Sequence, residues 1–277
     1  MNTSQAPVHT ATDLSHALAL RQAHPEATVL AGGTDLMVFI ETGAVQPSSI
    51  INLWGCSDLR GVQENEATGQ VRIGALTTWT DLIQHAAIPE VLQECARTVG
   101  AVQIQNRGTV GGNIVNASPA GDSLPLWLVL DAEFEVASVS GTRRIPANEF
   151  WTGYRTTALQ PDELLIAVHI CPDHTDHLYY RKVGTRLAQA ISKVVLGGRI
   201  KVVDGKVAEA RIALGSVGPT PLRLTEVEDA LRGQPIDPAA ADLVAQAITP
   251  IDDIRSTADY RSGVATRIVR SWLERCK

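Results

Sequence analysis

The chain has 277 residues, of which 44% are hydrophobic and 19% are charged, and its formal net charge is −6. This composition is typical of a folded globular protein and excludes the disordered and fibrous classes, while an acidic chain without a basic stripe is not expected to bind nucleic acid. The length allows two modest domains, and the sequence shows neither a secretory leader nor an apolar run long enough to span a bilayer, so we expect a cytoplasmic protein.

The first half of the chain alternates predicted strands and helices. We expect a helix over residues 12–23, a short buried strand over 27–31 and a glycine turn at 32–33 that leads into a helix. Strands are predicted over residues 49–53 and 70–74, and helices over 78–85 and 89–98. The first of these helices carries a capping signature, Thr78 with Asp81. The pattern indicates an α+β domain.

Residues 107–122 contain many glycine, proline, asparagine and serine residues. We therefore expect a buried, shaped loop there rather than a regular element. A helix over residues 124–130 and strands near 134–139 and 164–170 should follow. A loop that contains Pro172 and two aspartates then separates the halves, so the predicted domains are residues 1–174 and 175–277.

The second half is predicted to form a small sheet backed by helices. Strands over residues 192–200 and 206–214 are joined by Asp204-Gly205, a strong hairpin signal. Helices are expected over three further stretches, residues 225–231, 238–248 and 258–275.

The cysteines and histidines do not suggest a metal site on this chain. The four cysteines are scattered singly, without the close pairs typical of zinc or iron-sulfur sites. His174 and His177 have the spacing of metal ligands, but they lie among aspartates in a predicted exposed loop. We therefore expect no metal here, and any iron-sulfur cluster that takes part should belong to another chain.

Two glycine segments have the chemistry to bind a dinucleotide. Backbone N–H groups can converge on a pyrophosphate where glycines allow close approach. The first segment, Ala31 to Leu36, adds the Thr34 hydroxyl, and the second, Thr109 to Asn113, adds a hydroxyl and a carboxamide. Neither matches the G-x-G-x-x-G or G-x-x-x-x-G-K-[ST] motif. Taken alone, each Gly-Gly pair is more simply interpreted as a tight turn between elements.

Four separated segments together resemble the flavin subunits of molybdenum hydroxylases of the xanthine dehydrogenase and carbon monoxide dehydrogenase family. The first is A-G-G-T-D-L at residues 31–36, and the second is T-V-G-G-N-I at residues 109–114. The third is S-P-A-G-D-S-x-P at residues 118–125, and the fourth combines residues 180–186 with residues 190–194. Their order agrees with the family, and the resemblance covers nearly the whole chain.

The resemblance implies a vanillyl-alcohol-oxidase-like (PCMH-type) FAD-binding domain followed by a small α+β C-terminal domain. FAD would be non-covalent, because no His or Cys lies between Cys95 and His169. The residues that the family would use for FAD are Ala31, Gly32, Gly33, Thr34, Asp35, Leu36, Thr109, Gly111, Gly112, Asn113, Ala117, Ser118, Asp122, Leu165 and Lys182.

The resemblance also implies individual roles for three of these residues. Asp122 would bind a ribose hydroxyl and Leu165 would pack on the adenine. Lys182 would stand beside the pyrimidine edge of the flavin, where a cation stabilises negative charge, and would be the catalytic residue of this chain. From the residues alone, Asp122 is more simply a turn residue or the N-cap of the next helix, and Lys182 could belong to a solvated charged face.

The implied function is an oxidoreductase subunit that transfers electrons. A molybdopterin-binding large subunit and a small subunit with 2Fe-2S clusters would be its partners, in a doubled heterotrimer, and NAD, oxygen or another molecule would accept the electrons. Two alternatives are a self-contained FAD-dependent oxidase or reductase and a non-catalytic nucleotide-binding module. The short second half, without a clear acid-base group, disfavours the first alternative, and a flavin spectrum would exclude the second.

Overall fold

The computed structural model describes residues 6–172, 177–186 and 188–277. Within these ranges the chain forms three sheet units, each with its own cluster of buried apolar side chains. The predicted α+β class is confirmed. The predicted boundary between residues 174 and 175 lies outside the described residues, as does His174.

The first unit is a three-stranded parallel sheet in the order β1-β3-β2. Asp13 caps its first helix, because its carboxylate accepts the backbone N–H of His16. The expected helix, strand and glycine turn are confirmed, but the strand is half-buried rather than buried. The elements are β1 (Val8–Thr10), α1 (Leu14–Ala23), β2 (Thr28–Leu30), α2 (Leu36–Glu41) and β3 (Ile50–Asn52).

The second unit is a five-stranded antiparallel sheet in the order β4-β5-β10-β6-β7, with helices and a small β8-β9 ribbon. The expected capping box at Thr78 and Asp81 is present. The strands are β4 (Val62–Asn65), β5 (Gln70–Gly74), β6 (Glu133–Ser138), β7 (Gly141–Pro146), β8 (Trp151–Gly153), β9 (Thr156–Thr157) and β10 (Leu164–Ile170). The helices are α3 (Trp79–Gln84), α4 (Glu90–Thr98), α5 (Val102–Gln105), α6 (Val110–Asn116), α7 (Leu124–Val129) and α8 (Ala147–Phe150).

The expectation of an irregular loop over residues 107–122 was wrong, because α6 occupies its centre. The Thr109 side chain accepts the backbone N–H of Gly112 and so caps the helix, and Ala117 ends it in the left-handed conformation (φ 47°). Val110 and Ile114 are fully buried on one face. Capping and burial therefore outweigh the low helix propensity of the two central glycines.

Strand β10 joins the first two units. All seven of its residues are buried. Leu164 and Ile166 belong to the apolar cluster of the first unit, whereas Leu165 and Val168 belong to that of the second. Successive side chains of a strand point to opposite faces, and a β-bulge between Leu165 and Ala167 shifts this alternation, so one strand supplies both cores.

The third unit is an antiparallel sheet in the order β11-β12-β13-β14 with helices on one face. The predicted hairpin at Asp204-Gly205 is confirmed. The predicted helix over residues 238–248 is instead a 3-10 helix, Pro238–Leu243, followed by the short α10. The elements are β11 (His177–Val183), β12 (Val194–Val203), β13 (Lys206–Gly215), β14 (Leu222–Arg223), α9 (Thr225–Leu231), α10 (Val244–Ala247) and α11 (Ala258–Arg275).

Two neighbouring glycines of β12 allow close packing on both faces of this sheet. A methyl group at Gly197 would lie 3.0 Å from the Pro125 carbonyl oxygen of α7, and one at Gly198 would lie 2.5 Å from the Trp272 ring of α11. The third unit is thus packed against the second through α7. Among the described helices, none is long and apolar enough to cross a membrane.

Candidate functional site

A cavity of about 1580 Å³ opens where the three units meet. The first two units contribute mainly apolar side chains, including Val29, Leu76 and Leu165, whereas the third contributes polar residues such as Ser192 and Arg261. A concave, mostly apolar space with a few converging polar groups is typical of a cofactor site.

The first glycine segment forms one wall of this cavity. Gly32 lies against the second unit so closely that a methyl group on it would sit 1.8 Å from the carbonyl oxygen of Arg107. Gly33 has a φ of +78°, a conformation that glycine adopts without strain. In the described part of the chain, the N–H groups of Gly32, Gly33 and Thr34 donate no hydrogen bond. They are available to an anionic ligand.

The second glycine segment differs, because the protein already uses its N–H groups. Gly111 N–H donates to the Ala75 carbonyl at 2.8 Å, and Gly112 N–H donates to Thr109 Oγ1 at 3.1 Å. Asn113 N–H donates to the Thr109 carbonyl at 3.1 Å. Backbone donors without a partner among the described residues are therefore found on the first segment, whereas the second presents side chains and the surface of a helix.

Most of the predicted site residues are brought together around the cavity. Those that line it are Ala31, Gly32, Gly33, Thr34, Asp35, Leu36, Thr109, Gly111, Gly112, Asn113, Ser118, Asp122 and Leu165. Ala117 and Lys182 are not among the lining residues. Ala117 is buried at the C-terminal end of α6, where it ends the helix.

Lys182 is placed behind the cavity wall, where its ammonium group contacts Asp122. Lys182 Nζ donates to Asp122 Oδ2 at 2.6 Å and to the Thr98 carbonyl at 2.9 Å, and its side chain is 8% exposed. Ser192 Oγ donates to Asp122 Oδ1 at 2.5 Å. Burial raises the pKa of the Asp122 carboxyl above its ordinary value, and hydrogen bonds and charge from Lys182 and Ser192 oppose that rise.

A polar bridge links the two glycine segments at the cavity rim. Asn116 Nδ2 donates to Asp35 Oδ2 at 2.8 Å, and Arg155 Nη1 donates to Asn116 Oδ1 at 2.8 Å. The Asp35 carboxylate, although it stands at the N-cap position of α2, makes no cap hydrogen bond there. Its side chain instead holds α6 beside α2.

The third unit supplies a buried arginine on the other side of the cavity. Arg261 donates to the Lys193 carbonyl at 2.7 Å and to Asp253 Oδ1 at 2.8 Å. Burial alone would raise the pKa of Asp253, but hydrogen bonds from Arg255, Arg261 and Ser256 lower the pKa to about 2. Asp253 is therefore ionised and fixes both arginines at the cavity.

The residues fit a dinucleotide such as FAD. Buried side-chain polar atoms normally have a hydrogen-bond partner. Among the described residues, the two such atoms without a partner are Arg21 Nε and Arg261 Nε, and both arginines line this cavity. They belong to the first and third units, so arginines border the cavity from two of its walls. The unused N–H groups of Gly32 to Thr34 add donors for a pyrophosphate.

Sequence reasoning did not identify Ser192, Arg155 or Arg261 as cavity residues. Ser192 lies within residues 190–194, a segment that carried the family resemblance, so that motif could have suggested it. The two arginines show no local signal, because only the packing of distant segments brings them to the cavity.

Comparison with protein families identifies both halves of the chain. Residues 2–172 match the family described as "FAD binding domain in molybdopterin dehydrogenase". Residues 179–276 match the "CO dehydrogenase flavoprotein C-terminal domain".

Individual relatives are similar in sequence to nearly the whole of this chain. The xanthine dehydrogenase FAD-binding subunit of Escherichia coli O157:H7 is 31% identical over 265 residues, covering 92% of this chain and 90% of the relative. The carbon monoxide dehydrogenase medium chain of Afipia carboxidovorans is 35% identical over 263 residues, covering 91% and 89%.

Solved structures show the same fold. A chain of the carbon monoxide dehydrogenase from Hydrogenophaga pseudoflava superposes with a TM-score of 0.91 at 29% identity, covering 96% of this chain and 94% of that one. Quinoline 2-oxidoreductase from Pseudomonas putida 86 gives a TM-score of 0.90 at 25% identity, covering 99% and 98%. The chain therefore belongs to the FAD-binding subunits of the molybdenum hydroxylases, the oxidoreductase family of xanthine dehydrogenase and carbon monoxide dehydrogenase.

Proposed function

We propose that this chain is the electron-transfer subunit of a molybdenum hydroxylase, which takes electrons from a 2Fe-2S subunit and delivers them to NAD or another acceptor. The observation that carries the proposal is the cavity between the three units, with backbone donors at Gly32 to Thr34 that have no partner among the described residues. FAD, when bound, supplies the ability to take up electrons singly and release them in pairs.

The first glycine segment should hold the pyrophosphate. The N–H groups of Gly32, Gly33 and Thr34 have no acceptor among the residues that the structure describes, so they can bind phosphate oxygens. The Thr109 hydroxyl and the Asn113 carboxamide add side-chain donors from the second segment. Asp35 contributes by fixing α6 through Asn116 rather than by contact with an anion.

The remaining predicted residues receive roles that follow from their surroundings. Leu165, buried in β10 beside other apolar cavity residues, would pack on the adenine. Asp122 lines the cavity, and its carboxylate retains lone pairs beyond those used by Lys182 and Ser192, so it can accept a ribose hydroxyl. Lys182 would act through Asp122, whose orientation and charge it maintains.

The proposed partners are a molybdopterin-binding large subunit and a 2Fe-2S small subunit in a doubled heterotrimer. The names of the relatives support this, since they are called an FAD-binding subunit or a medium chain. A cytoplasmic location fits the four cysteines, all of which are free thiols as in proteins of reducing compartments.

The experiment that tests cofactor binding is a titration of the full chain, freed of flavin, with FAD. We expect one FAD per chain by quenching of flavin fluorescence, and full release by acid, because the described residues that line the cavity include neither His nor Cys. A chain that is folded by circular dichroism but binds no FAD would overturn the proposal.

A further inference from the structure

A buried hydrogen-bond chain ends at Asn113, on the face of α6 that borders the cavity. The indole Nε1 of Trp127 lies 3.0 Å from Ser123 Oγ, and Ser123 Oγ lies 2.7 Å from Asn113 Oδ1. Trp127 and Ser123 are completely buried. Neither was part of the predicted site.

The direction of these hydrogen bonds follows from the chemistry of the groups. An indole N–H can only donate, so it occupies a lone pair of the serine oxygen. Within the described part of the chain, Ser123 Oγ has no third partner, and its burial excludes bulk water. Its single proton must therefore point to Asn113. The oxygen of the Asn113 carboxamide accepts that proton.

The consequence is a fixed polarity of the Asn113 side chain. Because Ser123 donates to the carboxamide oxygen, the NH₂ group of Asn113 points away from Ser123. This NH₂ group donates to no protein atom among the described residues. Asn113 lines the cavity between the two glycine segments. If the carboxamide turned over, its oxygen would face an anionic ligand and repel it.

We infer that Ser123, anchored by Trp127, is a positioning residue that keeps the NH₂ group of Asn113 directed at the pyrophosphate of the dinucleotide. This inference rests on the proposed function. The N–H groups of Gly111 and Gly112 are already occupied, so the donors that the second segment can offer to a ligand are side chains.

The first test compares two ligands, FAD and riboflavin, which lacks the pyrophosphate. In Ser123→Ala of the full chain, freed of flavin, we expect the FAD affinity to fall about tenfold, the scale of one lost hydrogen bond. Riboflavin affinity should stay unchanged. Ser140→Ala, in an exposed turn, is the matched control and should alter neither. An equal loss for both ligands, or no loss for FAD, would overturn the inference.

A second variant tests the polarity with FAD alone. Asn113→Asp keeps the shape and can still accept from Ser123, but it replaces the NH₂ group with a carboxylate oxygen. Repulsion between like charges should weaken FAD binding by at least about thirtyfold near pH 8. Binding should recover as the pH falls and the carboxyl protonates, because neighbouring phosphates raise its pKa. Ser123→Ala should show no such pH dependence.

The two variants also separate this inference from the proposed function. If the wild-type chain binds no FAD, the proposed function fails. If the wild-type chain binds FAD and the Asn113→Asp variant binds it equally well at every pH, only the positioning role of Ser123 fails.

Discussion

Asp122 and Lys182 form an ion pair in a region that is largely closed to water. The side chains are 11% and 8% exposed, and the carboxylate and ammonium groups lie 2.6 Å apart. Burial alone would favour the neutral form of Asp122, so its charge depends on the partners beside it. Removing one partner of such a pair leaves an uncompensated buried charge.

Lys182→Met should therefore destabilise the protein in a pH-dependent manner. In this variant the pKa of Asp122 in the folded state lies above its pKa in the unfolded state. The resulting loss in the free energy of unfolding is therefore absent below about pH 4 and grows as the pH rises through the folded-state pKa. We expect a loss of about 3 kcal/mol in the free energy of unfolding near pH 8 and a smaller loss near pH 5. Urea denaturation at the two pH values measures it.

The double variant Asp122→Asn with Lys182→Met is the control, because it removes both charges. It should recover most of the stability lost in the single variant, since neutral pairs of similar volume replace buried ion pairs at little cost. A single variant whose loss is the same at both pH values would contradict the assignment of Asp122 as the titrating group.

At the scale of elements, the contact between Gly32 and Arg107 determines how closely the first and second units approach. A side chain at residue 32 would meet backbone atoms, which cannot rotate away. Gly32→Ala should separate the two cavity walls, lower the FAD affinity more than tenfold and cost about 1–3 kcal/mol of stability. Fluorescence titration and thermal denaturation measure the two effects.

Gly263→Ala is the matched control for that variant. Gly263 lies in α11, and its added methyl would meet only the flexible end of Arg267 at 3.2 Å. Alanine has the higher helix propensity, so this variant should keep FAD and gain up to about 1 kcal/mol. Equal changes in FAD affinity and in stability for the Gly32→Ala and Gly263→Ala variants would refute the special role of Gly32.

The sequence predicted regular elements well where the signal was local. The strands Gln70–Gly74 and Leu164–Ile170 have the predicted bounds, and the Thr78 capping box was visible as a pair of residues three apart. Helix α6 was missed because its glycines, read as loop formers, are stabilised by a cap and by burial that composition does not show.

The candidate site was predictable only in part. The family motifs indicated the segments that line the cavity. They could not show that the N–H groups of Gly111 and Gly112 donate hydrogen bonds to acceptors within the protein. They also could not show that Lys182 lies behind Asp122 rather than in the cavity. The contacts of Gly111 with Ala75 and of Lys182 with Asp122 join residues distant in sequence, whereas Gly112 is occupied by the local cap from Thr109.

At the scale of the whole molecule, the cavity exists only because three units pack together. Strand β10 supplies two apolar cores at once, and α7 packs against the glycines of β12. The third unit then brings Ser192 and Arg261 to a cavity whose other walls come from the first half of the chain. Neither half alone could therefore form the complete cofactor site.

The proposed relay makes a prediction about which subunits are needed for flavin reduction. The isolated chain with FAD should not oxidise an aromatic heterocycle or an aldehyde, because hydroxylation would belong to the molybdenum subunit of the proposed complex. Adding that subunit alone should still fail, since the proposed electron path runs through the 2Fe-2S subunit. With all three subunits present, substrate should bleach the flavin absorption in a stopped-flow measurement. Rapid bleaching with the isolated chain would show that it oxidises the substrate by itself, and rapid bleaching with the molybdenum subunit as sole addition would show that the electron path does not run through the 2Fe-2S subunit. Either result would overturn the proposed relay.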